Sequence, residues 1–356
     1  MLTKSPPIRR GSHWHPTWVP LVVSAIVFVM GVSMAADVRA ESGRLSDAEL
    51  ERLASLPEDQ IDTGQVALIL ATEPFPGLDV PSYSAQLDRM AMEIRQLTKG
   101  STDPDYRIRA MNTYLYKRQG FHYDHDDPYA QQLTNRYLNG ILTTNTGSCT
   151  TMPLLYLALA QRLGYPIYPV AAPQHLFCRY VHGDGTHDNI EATSGGGLSS
   201  DDEYIRDLEI PAQGIKSGAY MKTMTRRQLV GDLIAENGTY WARQQDLPRT
   251  IRYWLITVRF NPEAAEVWQL LGHGYRKLAG QYERLQAGGF QNPTLAFTNQ
   301  LYRGYTQEYR QEADQALQQA RALGVAPPLQ ANYWLRQQEL AQAHRTQTIA
   351  PNGGNR

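Results

Sequence analysis

Cys149 stands directly after Gly147-Ser148 and ahead of Met152-Pro153 and an apolar run, Leu154 to Leu163, that closes on Gly164. The run has helical length and strong helix formers, with glycine where a C-terminal cap is expected. Ser148 is of the N-cap type, and Pro153 is tolerated in or near a first turn. The spacing therefore predicts Cys149 at a helix N-terminus, where unpaired N–H groups and the helix dipole favour thiolate over thiol. Such a nucleophile needs a base. His175 to Val181 alternates as a strand, Gly183-Asp184-Gly185 is a turn signal, and His187 to Thr193 returns. A hairpin symmetric about Asp184 sets Phe177 opposite Glu191 and His175 opposite Thr193. His175 and Glu191 then share one face as diagonal neighbours. A one-residue slip would turn Glu191 to the other face, with Asn189 as the fallback orienter.

Cys149, His175 and Glu191 in this order have the logic of a thiol triad. The imidazole takes the thiol proton, and the carboxylate fixes its tautomer and orientation. The Cys149 N–H with one upstream donor, for which Asn145 and Tyr123 are candidates, would hold an oxyanion. His182 and His187 flank the turn and are expected to be exposed. The second cysteine, Cys178, falls mid-strand and out of phase with His175, which argues against a disulfide to Cys149.

The elements that must position these groups are mostly helical. Ser46 and Glu49 have capping-box spacing ahead of a short helix, and Ile61 to Ala71 gives another, ended by the turn Pro74-Phe75-Pro76-Gly77. Leu87, Met90, Ile94 and Leu97 form one face of an amphipathic helix, and Ile108, Met111 and Leu115 mark the next. His122, His125 and the aspartates 124, 126 and 127 have types that bind cations, but the segment reads as a polar turn before Pro128. Tyr165 to Ala172 is extended and β-prone, and Pro173-Gln174 turns the chain into the His175 strand.

The 356 residues are 42% hydrophobic and 19% charged, which describes a globular chain long enough for two domains. A formal net charge of -1 excludes binding driven by phosphate neutralisation, so no nucleic-acid partner is expected. Lys4, Arg9 and Arg10 precede an apolar stretch at 18–36, and Val38-Arg39-Ala40 resembles a cleavage site. Residues 1–40 are thus expected to be a signal peptide or membrane anchor, placing the body in the periplasm or otherwise outside the cytoplasm.

Beyond Pro211 to Thr225, read as a linker, a repeat pattern begins. Ile234, Gly238, Trp241, Thr250, Trp254 and Pro262 have the spacing of one tetratricopeptide unit. Trp268-x-x-Leu271-Gly272-x-x-Tyr275 opens a second, whose other helix (Ala313, Leu317, Ala320) follows an insertion at 276–308. A last helix at 330–343 would cap the stack. Residues 226–345 are expected to be tetratricopeptide-like repeats that bind a peptide or protein, and 346–356 a disordered tail.

The Gly-x-Cys helix start, the Leu163-Gly164-Tyr165-Pro166 exit, the strand-borne His175 and Glu191 shortly before Thr193 resemble the transglutaminase-like fold. Within it the chain is similar to the SirB family, in Ile61-Asp62 with Ala67-Leu68, in Pro76-Gly77-Leu78-Asp79 with Leu87-Asp88, and in Pro173-Gln174-His175-Leu176-Phe177. The resemblance covers about residues 44 to 200. Transglutaminases usually carry aspartate where Glu191 stands, and many SirB-like chains lack a cysteine at the position of Cys149. What the resemblance implies is an α+β, transglutaminase-like (papain-like cysteine) domain over 44–210, followed by the helical repeats. It implies thiol acyl-transfer or amide-hydrolysis chemistry, with no cofactor and no metal. The alternative is an inactive scaffold of the same fold, acting as an adaptor in the cell envelope.

Overall fold

The computed structural model describes residues 45–287 and 296–327. The stretch 18–36, the helix expected at 330–343 and the tail lie outside the described residues. Among the described residues, no helix is long and apolar enough to cross a membrane.

Side-chain caps start the first helices. Ser46 and Glu49 close a capping box on α1 (Asp47–Ser55), and Asp62 caps α2 (Thr63–Ala71). Asp79 caps α3 (Val80–Thr98), which buries Leu87, Met90 and Ile94. Asp103 caps α4 (Pro104–Asn112), which widens into a π-helical turn at Thr113–Arg118 that buries Tyr114 and Leu115. A two-residue strand β1 (His122–Tyr123) follows, then α5 (Leu138–Thr144) and β2 (Thr146–Gly147), which pairs in parallel with β1. The central helix is α6 (Thr151–Leu163). Every residue from Thr151 to Ala160 is buried, as an all-round apolar sequence requires. Helices α2, α3 and α5 and the sheet pack around it.

The sheet is an antiparallel meander of β3 (Ile167–Ala172), β4 (His175–Val181), β5 (His187–Glu191) and β6 (Gly197–Ser199). Cys178 pairs with Ile190 and Arg179 with Asn189, which is the register expected for a hairpin symmetric about Asp184. Short helices α7 (Asp201–Asp207) and α8 (Ala212–Ser217) come next. The segment read as a linker is in fact packed. Met221 and Met224 donate their N–H groups to Ala171 and Pro169 carbonyls, each at 2.9 Å, and so cover the outer edge of β3. Buried Ala219, Tyr220, Met221 and Met224 hold it there.

The C-terminal region is helical: α9 (Arg226–Arg243), α10 (Leu247–Phe260), α11 (Ala265–Ala287) and α12 (Ala296–Leu323). Buried Glu73, just past α2, accepts from Asn237 Nδ2 at 3.1 Å, from Trp241 Nε1 at 2.7 Å and from the Tyr253 hydroxyl, fastening α9 and α10 to the first domain. Trp254 lies between two glycines. A Cβ on Gly238 would come within 2.6 Å of its indole, and one on Gly274 within 3.3 Å. The insertion expected at 276–308 is largely two helical arms, because α11 runs on to Ala287 and α12 starts at Ala296. Tyr282 joins the arms, its ring centroid 5.1 Å from that of Tyr305 and 5.7 Å from that of Tyr309. This aromatic stripe at helical spacing carries the pairing that the tetratricopeptide pattern lacked.

Gly238→Ala is expected to lower unfolding stability by about 1–3 kcal/mol through overpacking against Trp254. Gly304→Ala, where a Cβ meets nothing within 4 Å, is expected to be neutral or to stabilise by up to about 1 kcal/mol. Urea unfolding of both variants checks the pair.

Candidate active site

Cys149 sits in the turn that leads into α6, one residue ahead of the helix N-cap Thr150. The turn is built by Ser148, whose hydroxyl accepts from the N–H groups of Thr150 (3.2 Å) and Thr151 (3.3 Å) and whose carbonyl accepts from Met152 N–H (3.1 Å). Ser148 thus provides the capping oxygen, though the helix begins later than expected. The side chain of Cys149 is partly exposed. Its thiol donates to the Gln174 carbonyl at 3.7 Å and lies close enough to the His175 imidazole to act on its charge.

His175 opens β4. Its Nε2 lies 2.7 Å from Glu191 Oε2, leaving Nδ1 as the nitrogen for the thiol. The two side chains are only 9% and 13% exposed. The second carboxylate oxygen of Glu191 is equally occupied: Oε1 accepts from Thr193 N–H at 2.9 Å and from the Thr193 hydroxyl at 2.6 Å. The Tyr204 hydroxyl donates to Oε2 at 2.8 Å, and its ring stacks on Phe177 with centroids 4.0 Å apart. Burial by itself would lower the His175 pKa, but the Glu191 carboxylate, its hydrogen bond to the ring and the nearby Cys149 sulfur push it up to about 10. Burial works against ionised Glu191 too, and His175 with Thr193 nonetheless hold it down at about 2. The pair is an imidazolium–carboxylate at neutral pH.

Other candidates have different duties. Asn189 accepts from buried Arg179 Nε at 2.8 Å and donates to Asp201 at 2.7 Å, so it braces β4 against α7 rather than orienting His175. Asn145 donates its side-chain amide to Gln119 O and Tyr123 its hydroxyl to Pro128 O. His182 and His187 are bonded to Asp188 and Asp201. In the 122–127 segment, Asp124 and Asp127 both accept from Asn135 Nδ2, and Asp127 caps the N–H groups of Gln131 and Gln132. Among the described residues, no three His, Cys, Asp or Glu side chains could hold a metal ion. The two cysteines are separate thiols; Cys178 is buried, its Sγ bonded to Pro153 O, and burial pushes its thiol pKa well up.

The thiol opens onto a cavity of about 500 Å³ between the sheet edge and helices α9 and α11, lined among others by Cys149, His175, Leu233, Asp232 and Glu266. Burial raises the pKa of Asp232 to about 7, with repulsion from Glu266 and Glu236 adding to it. Burial likewise raises Glu266 to about 7. Spacing gave no sign of Tyr204 or Glu266. The Ser200–Glu203 capping box could have placed Tyr204 in the first turn of α7, and Glu266 carries no local signal at all.

Residues 81–232 match the family model described as the transglutaminase-like superfamily, and the chain has a transglutaminase-like domain there. A UPF0162 protein of Xylella fastidiosa is 25% identical over 162 residues, 46% of this chain and 56% of that protein. The chain thus spans about half the length of the first curated relatives it matches. The human F-box only protein 21 is 38% identical over 76 residues, 21% of this chain and 12% of that protein. A crystal structure of menin, described as showing the binding site for Mixed Lineage Leukemia protein, is similar at a TM-score of 0.33 and 14% identity. It covers 84% of this chain and 96% of its own, a likeness too low to carry an argument.

The shifts fix the sign of a pH dependence. The raised His175 pKa stabilises the fold fully below its unfolded value of about 6.5, and that gain is lost as pH rises through about 10. The depressed Glu191 pKa stabilises above its unfolded value of about 4.5, and that gain is lost as pH falls through about 2. Glu191→Gln is therefore expected to cost on the order of 2 kcal/mol, most of it between about pH 4.5 and 6.5, where both gains are complete. Denaturation midpoints of both proteins against pH measure the difference.

Proposed function

We propose that the chain is an exported transglutaminase-like cysteine enzyme that carries out acyl transfer or amide hydrolysis on a peptide or protein substrate. Cys149 is its nucleophile, His175 its base and Glu191 its orienter. The observation that carries the reading is the Cys149 sulfur beside an imidazole that is itself hydrogen-bonded to a carboxylate, with the sulfur facing a cavity large enough for a side chain and its flanking backbone. An inactive scaffold would have no need to bury an ion pair behind an accessible thiol.

The chemistry follows from that arrangement. In the reactive form the Cys149 proton rests on His175, and the sulfur attacks the carbonyl carbon of an amide, forming a C–S bond and an oxyanion. The Cys149 N–H at the head of α6 is the donor for that oxyanion. The imidazolium then protonates the leaving nitrogen, the C–N bond breaks, and a thioester remains. Water or an amine resolves it: His175 takes the incoming proton, the acyl group leaves sulfur, and the sulfur returns to its place beside the protonated imidazole. Glu191 stays ionised throughout, since Thr193, Tyr204 and His175 all favour its charged form.

Helices α9 to α12 are read as a tetratricopeptide-like, partner-binding region on the strength of the paired helices and of Trp254 seated between Gly238 and Gly274. The SirB-type assignment rests on the motif around Pro173-Gln174-His175, and export to the periplasm or beyond rests on the basic and apolar residues at 4–36.

Alkylation by iodoacetamide tests the reading. Native protein is expected to label at Cys149 alone, because Cys178 is fully buried, and Cys149→Ala is expected to abolish labelling while keeping the fold. His175→Ala is expected to slow it at neutral pH by about 10²-fold. Labelling only after denaturation would sink the proposal.

A further inference from the structure

The turn between β3 and β4 is held open by a group from outside the sheet. Pro173 and Gln174 occupy its two central positions, and Gln174 adopts φ 51°, a left-handed conformation that favours glycine. Its N–H donates to Glu266 Oε1 at 2.9 Å, and its carbonyl accepts from the Cys149 thiol at 3.7 Å. The next residue is His175. One peptide turn therefore sets both the sulfur's neighbour and the starting point of the imidazole.

Glu266 belongs to the first turn of α11, in the C-terminal region. Its carboxylate lies beside Tyr220, whose hydroxyl oxygen accepts from Ala326 N–H at 3.2 Å beyond the end of α12. Hydrogen bonds run from Glu266 through the Gln174 turn to Cys149, and Tyr220 joins the end of α12 to the same neighbourhood. The titratable groups facing Glu266 are Tyr220, from the segment covering β3, and Asp232, from α9. Beyond Asp232 lies Glu236, already paired with Arg136. None of these side chains supplies a positive charge to Glu266, so its fixed partner is the Gln174 N–H.

We propose that Glu266 is a positioning residue of the thiol site: its carboxylate fixes the Gln174 turn, and through that turn the placement of Cys149 and His175. The C-terminal helices thereby complete the site instead of only presenting substrate to it. This rests on the reading of Cys149 as nucleophile, but the geometry it asserts can be measured without turnover.

The test is a double-mutant cycle in the full chain, read by the rate of Cys149 alkylation with iodoacetamide against pH, with thermal unfolding as the control for folding. Glu266→Ala is expected to slow alkylation about tenfold or more and to displace its pH profile, since small misplacements of reacting groups are costly. Glu266→Gln keeps an oxygen acceptor for the Gln174 N–H and is expected to stay within about threefold of the parent. Glycine takes a positive φ at no steric cost, so in the Gln174→Gly background Glu266→Ala is expected to cost less than about threefold. An unchanged rate and profile in Glu266→Ala, or the same loss with glycine at 174, would overturn the proposal. If Glu266→Ala does not fold, Glu266→Gln and Gln174→Gly decide alone, and a tenfold loss in Glu266→Gln with a parental melting temperature counts against it. If native Cys149 does not alkylate at all, the enzymatic reading fails, and the His175 imidazole resonances of the same variants still report the turn. They are expected to move in Glu266→Ala and to hold in Glu266→Gln. Unmoved resonances in Glu266→Ala would overturn the positioning role.

Discussion

A single carboxylate, that of Glu191, sets the terms for the site. It lies beneath the surface, where an ionised group costs several kcal/mol unless each lone pair finds a donor. Its partners come from different elements: His175 from the start of β4, Thr193 from the turn after β5, Tyr204 from α7. Keeping the anion satisfied therefore fixes the β4–β5 register, the turn that follows and the docking of the next helix together. Arg179 repeats the device two positions further along the sheet. Its guanidinium holds Asn189, Asp201 and the Met221 carbonyl, so the strand pair cannot slip without orphaning a buried charge.

The C-terminal helices are bound to this domain by polar groups as well as by apolar packing. Glu73 gathers Asn237, Trp241 and Tyr253 on one side of the molecule. Glu266 reaches the β3–β4 turn on the other. A buried carboxylate such as Glu73 is a poor choice for a freely moving hinge, because separating it from its donors leaves an uncompensated charge. The segment covering β3 adds backbone hydrogen bonds to the same join. The matched family region ends at residue 232, inside α9, so the compact body extends past the part its relatives' model defines.

Much of this was legible in the sequence wherever the information is local. The cap at Ser46, the apolar face of α3, the run that became α6 and the hairpin about Asp184 all rest on spacing over a few residues. The hairpin symmetry was enough to bring His175 and Glu191 to one face. What stayed hidden depends on approach from afar. Glu266 lies 92 residues from the backbone N–H it holds, and no periodicity encodes such a meeting. The oxyanion candidates Asn145 and Tyr123 were drawn from nearness in sequence to Cys149, and both side chains turn to neighbouring carbonyls. The linker reading of 211–225 followed its glycines and polar residues, whereas its buried Tyr220 and the two methionines decided the outcome.

The costs in this fold are concentrated around the sulfur. Gln174 holds a conformation that a glycine would adopt freely, at a cost of about 1–2 kcal/mol. Burial raises both Asp232 and Glu266 to about 7, which means each opposes folding when ionised. The buried imidazolium–carboxylate pair gains less than an apolar pair of the same volume could. Neither the Gln174 conformation nor the two raised carboxyl groups are needed to close the sheet or to bury α6. Elsewhere the chain is locally consistent: caps fit their helices, and small residues admit the Trp254 ring. A scaffold that served only to bind partners would gain stability by relaxing each of these groups. Their convergence on one partly exposed thiol is the physical argument behind the proposal of an enzymatic role for the cavity.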